Sequence, residues 1–371
     1  MKKAVAVILA GVLAISMFAG CGKKKTDTVS SAKPEVSVST EEVEEVNPHA
    51  GEVRSDLTGK WIKEKYADKR PLAVMTGNSR GSLPQYGISD ASIIYESPVE
   101  GGETRLMAIY SYPKYKNAKK IMSIRSCRHY YIDWALEFDA LYAHFGQAKY
   151  AKEMLSRDYV NNLNGLEGAV EAVMYQRDSS RRAPHNAYTT GEGIVAGIEK
   201  KEYTTTHSDE YQGHYQFNED DEHEIELTDG EAAVVVKTGY PVNKPWFVYD
   251  SEKGVYNRFQ YGDKQIDANN DKQLQVKNIL LQVCDWEVID QKYGYLDVDT
   301  TSGGEGMYIT NGKAIPVTWS KESQTAPTRY FDKNGKEITL NQGKTWVCII
   351  QDTYVDKITL FASEEEFSAA E

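Results

Sequence analysis

The chain has 371 residues, of which 43 are basic and 55 acidic, giving a formal net charge of −12. Nucleic acid and broad anionic lipid surfaces both call for a positive face, so this balance argues against either as a partner. After Cys21 only Cys127, Cys284 and Cys348 remain, with no C-x-x-C spacing, so neither a zinc site nor a redox motif is supported.

The first elements are targeting signals. Lys2 and Lys3 precede an apolar run, residues 4–18, that is short for a bilayer span. It ends in Phe18-Ala19-Gly20-Cys21, followed at once by Gly22-Lys23-Lys24-Lys25. This resembles a bacterial lipobox, whose small residues admit a peptidase and whose cysteine thiol accepts a diacylglycerol. The expectation is a signal peptide over 1–20, then a lipidated, disordered spacer over 21–60. Two acyl chains, or a palmitoyl chain among three, suffice for stable anchoring, here on the extracytoplasmic face of the cell membrane. Losing Lys2 and Lys3 from the 43 basic residues leaves 41 against 55 acidic ones, a balance of −14. The spacer is rich in Thr, Ser, Val and Glu and carries an acidic run at 40–45, a composition that buries no core.

From residue 69 the texture becomes regular. Short apolar runs at 72–75, 91–95, 106–110, 120–124 and 140–143 predict strands. Between the last two, Tyr131, Trp134, Ala135 and Phe138 recur at helical spacing, and 147–155 also reads as helix. Alternating strands and helices predict an α/β N-terminal domain over 61–215 with a mixed or parallel sheet. A polar, acidic stretch at 207–226 marks the boundary. Beyond it, strand-like runs at 232–236, 246–249, 255–259, 279–283 and 293–298 predict a mostly antiparallel β domain over 225–357, with 358–371 a frayed tail. Asn311-Gly312 and Asn334-Gly335 predict hairpin turns, because Asn-Gly tolerates the positive φ angles that two-residue turns need. A Cys284–Cys348 bridge is left open.

Chemistry-bearing residues fall where predicted strands stop. Asn78 follows the first, Glu96 the second, Arg125 and Ser126 the fourth, and His144 the fifth. In open α/β sheets ligands bind beyond the carboxyl ends of parallel strands. Ser126 and Cys127 would open a helix whose free N–H groups favour an anion, and Arg125 and Arg128 would add guanidinium forks. Glu96 and Glu100 read either as an acid–base pair or as partners of Arg105 and Arg125. His144 reads as a general base or as a structural histidine. Arg181, His185 and Asn186, in a second basic cluster at 177–186, would complete the same pocket or form a surface loop. Asp267-Ala268-Asn269-Asn270-Asp271 starts like a calcium loop but lacks its glycine and closing glutamate. No nucleotide or zinc-protease motif is present, and no metal or cofactor is expected.

Several segments together resemble the YerB-like family of bacterial lipoproteins, domain of unknown function 3048. They are Arg70-Pro71-Leu72-Ala73-Val74-Met75, Pro84-Gln85-Tyr86-Gly87, Pro98-Val99-Glu100-Gly101-Gly102-Glu103-Thr104-Arg105, Arg125-Ser126-Cys127-Arg128, Tyr142-Ala143-His144 and Ala183-Pro184-His185-Asn186. Tyr256-Asn257-Arg258, Asn278-Ile279-Leu280-Leu281-Gln282 and Gly343-Lys344-Thr345-Trp346 continue it. The resemblance implies an N-terminal family domain followed by a distinct C-terminal one on a membrane-anchored lipoprotein. It carries no established activity. This chain departs from the family pattern at Gly77, where an acid is usual, and at Gln265, near a usual histidine.

Three functions remain in view. The first is a module binding an anionic envelope ligand, such as peptidoglycan stem carboxylates or a phosphate-bearing wall polymer. The second is an envelope hydrolase or transferase using Glu96 or Glu100 with His144. The third is a subunit that docks another envelope protein through strand edges.

Overall fold

In this computed structural model the described residues are 47–370; the signal, Cys21 and the acidic run of the spacer lie outside them. Eleven strands form the main sheet: β1 (Leu72–Gly77), β2 (Ile93–Pro98), β3 (Thr104–Tyr110), β4 (Leu141–His144), β5 (Asn162–Asn164), β6 (Glu231–Ala232), β7 (Asn278–Cys284), β8 (Gly304–Thr310), β9 (Lys313–Ser320), β10 (Arg329–Phe331) and β11 (Thr345–Gln351). Their order is β6-β9-β8-β7-β11-β2-β3-β1-β4-β5, with β10 paired to β9. Strands β7, β11 and β2 run parallel to one another, as do β1, β4 and β5. Only β3 reverses direction between those two groups, pairing antiparallel with β2 and β1. The carboxyl ends of six strands therefore share one edge, and the start of β3 joins them there.

The N-terminal part is thus a mixed sheet with helices and the C-terminal part is mostly antiparallel, as the sequence pattern predicts. The predicted strand at 120–124 is a correction. Ile121–Met122 pairs with Ala187–Thr189 in a small separate sheet instead. The predicted 147–155 helix shortens to Ala151–Leu155.

Helix α1 (His129–Leu136) lies against the β2–β3 pair. Tyr131 and Trp134 are fully buried, and the Tyr131 hydroxyl donates to the carbonyls of Arg105 (2.6 Å) and Ser97 (3.1 Å). The aromatic face visible in the sequence is the face that packs. Burying each such ring contributes about 3 kcal/mol.

A second sheet is built on Val235–Lys237, Trp246–Asp250 and Val255–Gln260, with Thr359–Phe361 on its edge. The terminal segment is therefore no frayed tail: Thr359–Phe361 is a strand, and Phe367 of helix Glu364–Ala370 packs near Trp246. The ordered chain also starts before residue 61, since Glu52–Arg54 pairs with Trp61–Lys63 and Leu57 is buried. Asn311 (φ 50°) and Gly312 (φ 73°) close the β8–β9 hairpin as expected. Residues 337–340 form two isolated bridges, Glu337 to Phe331 and Leu340 to Phe217, instead of a second hairpin strand. Cys127, Cys284 and Cys348 are free and buried.

From His49 onward the described chain is one compact unit. The two halves are joined inside the main sheet, where β11 pairs with β2 over Thr345–Cys348 and Ile93–Glu96. The acidic stretch near 214 also packs inward. His214 stacks on Phe138 at 4.1 Å and its Nε2 meets Glu137 at 2.5 Å, while Lys321 Nζ donates to the other Glu137 oxygen at 2.6 Å. Thr328 adds backbone and hydroxyl donors to Glu137.

Burial alone would raise the Glu137 pKa, but Lys321 and His214 outweigh it and hold the carboxyl at about 2. A carboxyl depressed in the fold contributes stability that is complete above its ordinary value of 4.5 and is lost as pH falls toward 2. Glu137→Gln should therefore flatten the acid limb of stability between these pH values. Thermal melts followed by circular dichroism test this; an acid limb identical to that of the parent chain would exclude the assignment.

Candidate functional site

The sheet edge divides the predicted site residues into two groups. One is interior. Glu96 is fully buried, and its Oε1 accepts from Thr104 (2.8 Å), Asn243 (2.8 Å) and Asn78 (3.1 Å). Its Oε2 accepts from Arg258 Nη2 at 2.5 Å and Trp346 Nε1 at 3.1 Å. Arg258 is itself fully buried, between the rings of Trp346 (4.4 Å) and Phe247 (4.6 Å). Asn78 is bound on its other side by Gln260 and Gln85. This ion pair is sealed from solvent and belongs to the fold.

His144 is interior too. Its Nδ1 bonds the Gly146 carbonyl at 2.8 Å, and burial lowers its pKa to about 4. Glu100 is clasped by Arg128 through two bonds of 2.5 and 2.6 Å. Glu96, Glu100 and His144 thus each serve a different partner and do not form an acid–base constellation.

The other group gathers at the rim. The segment carrying Arg125 and Ser126 is not a helix start, because α1 begins only at His129 with Arg128 as its cap residue. It is held extended: Arg125 N–H donates to Met75 O, Phe145 N–H to Arg125 O, and Cys127 N–H to Gly146 O, each at 2.9 Å. Ser126 and Cys127 therefore present no helix-terminal amides to an anion. Arg105 enters from the start of β3 and donates to Ser126 O at 2.7 Å. Arg125 Nη1 donates to His185 Nδ1 at 2.8 Å, and Ser82 Oγ lies 2.9 Å from the same nitrogen. Close approach requires Gly77 here, since a Cβ would stand 2.2 Å from Ser82 Oγ and 3.1 Å from Arg125 Cγ.

The charges are unevenly matched. Arg128 has Glu100, and that pairing raises its pKa although burial opposes the rise. Arg105 is only 7% exposed, yet neither it nor half-buried Arg125 has a carboxylate at ion-pair distance among the described residues. Burial, reinforced by Arg128 and Arg125, pulls the Arg105 pKa down to about 10. Arg125 is lowered by burial and Arg128. His185 is lowered by burial and then by Arg125, Arg181 and Arg105, so it stays neutral and accepts from Arg125.

Arg181 adjoins this rim but is spent on the carbonyls of Ser82 (2.8 Å) and Pro84 (2.6 Å). Asn186 accepts from Arg177 and does not reach the cluster's bonds. Sequence reasoning missed Arg258, Asn243 and Gln260. One signal was available: Tyr256, Arg258 and Gln260 share the buried phase of an alternating strand, so a charge stands where an apolar residue belongs. The Asp267 loop is a clasp: its carboxylate accepts from the Gly87 and Ser89 amides and from the Ser89 hydroxyl.

Comparison with known proteins agrees with this architecture. Residues 57–204 match the N-terminal domain, and 234–347 the C-terminal domain, of the family described as Protein of unknown function (DUF3048). The chain belongs to the YerB-like family. It is 27% identical over 319 residues to "Putative lipoprotein YerB" of Bacillus subtilis (strain 168), covering 85% of this chain and 91% of that protein. The crystal structure of YerB from Bacillus subtilis is similar with a TM-score of 0.72, covering 83% of this chain and 99% of that one. These YerB-like features place both family segments in a single sheet, with Glu96 from one bonded to Arg258 from the other.

Removing one partner of a sealed pair leaves the other charge buried and alone. Glu96→Ala should cost about 3–5 kcal/mol, and Glu96→Ala combined with Arg258→Met should cost less than the two single changes added together. Urea midpoints of the three variants decide this; strict additivity would show that the residues do not act as a pair.

Proposed function

We propose that this YerB-like protein is a lipid-anchored component of the bacterial cell envelope that holds an anionic group of an envelope polymer on its arginine rim. The supporting observation is the pair Arg105 and Arg125: one buried and one half-buried guanidinium group, each lowered by burial and by Arg128, without carboxylates at ion-pair distance among the described residues. Gathering uncompensated like charge in a partly dehydrated site costs free energy, and a bound anion relieves it. Their planar forks suit carboxylate or phosphate, the groups on peptidoglycan stems and wall polymers. The Ser126 side chain and neutral His185 border the same rim and offer further hydrogen-bonding atoms.

The tether is the second half of the reading. Cys21, in its lipobox-like setting, is the attachment point, and the relative described as a lipoprotein supports it. Two acyl chains give lasting attachment where one gives only reversible binding. The rim would then work near the membrane without any helix of the described residues crossing it.

A ligand that binds only the folded state raises stability by mass action, about 2.7 kcal/mol at a hundredfold excess over Kd. Inorganic phosphate should therefore raise the melting temperature above that in chloride at equal ionic strength. Arg125→Ala and Arg105→Gln should each remove the rise, and an undiminished rise in both would defeat the rim as the site. Separately, Cys21→Ala should abolish labelling by radioactive palmitate and shift the chain from the membrane to the soluble fraction. Continued labelling of the Cys21→Ala chain would refute the tether.

A further inference from the structure

A different charge pattern lies a few residues further along the same chain segment. The two-stranded ribbon Trp286–Asp290 with Tyr295–Val298 stands beside α1. Between them opens a groove of about 540 Å³. Five acids line it, Asp133, Asp285, Glu287, Asp297 and Asp299, and no Lys or Arg does. The only basic side chain in the lining is His129, whose Nε2 meets Asp297 Oδ1 at 2.8 Å.

Two buried polar atoms of this lining have no partner. Asp133 is 5% exposed; its Oδ2 accepts from the Thr300 hydroxyl at 2.7 Å, while its Oδ1 has no hydrogen-bond partner. His129 Nδ1 is also buried without one. An unmet buried oxygen is costly, and burial raises the Asp133 pKa, so a cation in the groove favours the charged form of this carboxyl. Trp286 lines the same space with its indole N–H already committed to Thr353 Oγ1 at 3.1 Å, so its contribution to a ligand is its aromatic face.

The volume lies within the range of organic-ligand sites, roughly 300–1,000 Å³. A bare metal ion would need several oxygen or nitrogen ligands converging at short range. No group of three or more His, Cys, Asp or Glu side chains among the described residues is placed to hold one. An alkylammonium fits better: it presents three donors and no acceptor to acceptor-only carboxylates, and its methylene stem can lie on an aromatic face.

We propose that the groove between α1 and the Trp286–Asp290 ribbon binds an organic primary ammonium, as carried by a free diamine or by a lysine-like side chain. The site is independent of the arginine rim. It uses acids at the carboxyl end of β7 and on the ribbon, where the rim uses guanidinium groups near β1 and β3.

The test is titration of the intact chain with 1,5-diaminopentane and, separately, with Nα-acetyl-lysine amide, followed by tryptophan fluorescence and calorimetry at physiological salt. Saturable binding of at least one is expected, with pentane-1,5-diol silent. The paired change Asp285→Asn with Glu287→Gln, at exposed positions that leave the fold intact, should weaken binding at least tenfold, and Asp133→Asn should do the same. Binding of the diamine alone would identify a free amine as ligand; binding of the lysine derivative as well would extend the site to peptide side chains. Three results would overturn the proposal: no saturable binding of either amine, equal binding by the diol, or affinity unchanged in both variants.

Discussion

Everything at the strand-end edge depends on one carboxylate being neutralised in the interior. Glu96 sits fully buried near the end of β2, beside β11 and β3, and five donors from distant parts of the chain converge on it. Without Arg258 the charge would be uncompensated in a medium that solvates it poorly. Because Arg258 comes from the second sheet, the same bond docks that sheet on the first. Asn78 then shares Glu96 with Thr104 and is fixed from behind by Gln260, which sets the course of the chain just before Ser82. Ser82 in turn faces His185 and Arg125. Positional order passes from the sealed pair to the rim through a continuous set of short bonds.

The protein treats its charges in two ways. Two interior acids are saturated: Glu96 by Arg258 and amides, and Glu137 by Lys321, His214 and Thr328. At the edge, saturation stops. Arg105 and Arg125 have side-chain hydrogen bonds only to a carbonyl and an imidazole; Glu100 is occupied by Arg128, and Glu103 acts on Arg125 without pairing with it. A fold able to satisfy Glu96 five times over has left these two guanidinium groups unmatched.

How much of this was legible in the sequence follows from which signals are local. Tyr131, Trp134, Ala135 and Phe138 declared α1 because helical periodicity is written within twelve residues. The common direction of β1, β2 and β4 was legible, but Glu96 and His144 are buried within their strands instead of lying beyond them. The reversal of β3 was not legible, since an apolar run carries no mark of its direction, and yet that reversal brings Arg105 to the edge. The strand proposed at 120–124 shortens to Ile121–Met122 and leaves the main sheet, because it pairs with Ala187–Thr189 far along the chain. The fate of Glu96 lay out of reach, because its partner is 162 residues away. A carboxylate after a strand looks the same in sequence whether it will be solvated or sealed.

The position of β11 has a consequence for how the protein is made. Among the strands of the main sheet this one is made last, but it lies in the middle of the sheet, with β7 on one side and β2 on the other. Until residue 351 has been made, the flank of β2 that it will cover has no neighbour, and the half already synthesised presents an open hydrogen-bonding edge. Synthesis therefore produces a waiting intermediate that must be kept from pairing with other chains. For the same reason neither half can be inherited alone: a gene fragment that stops before β11 would encode a sheet without its central seam.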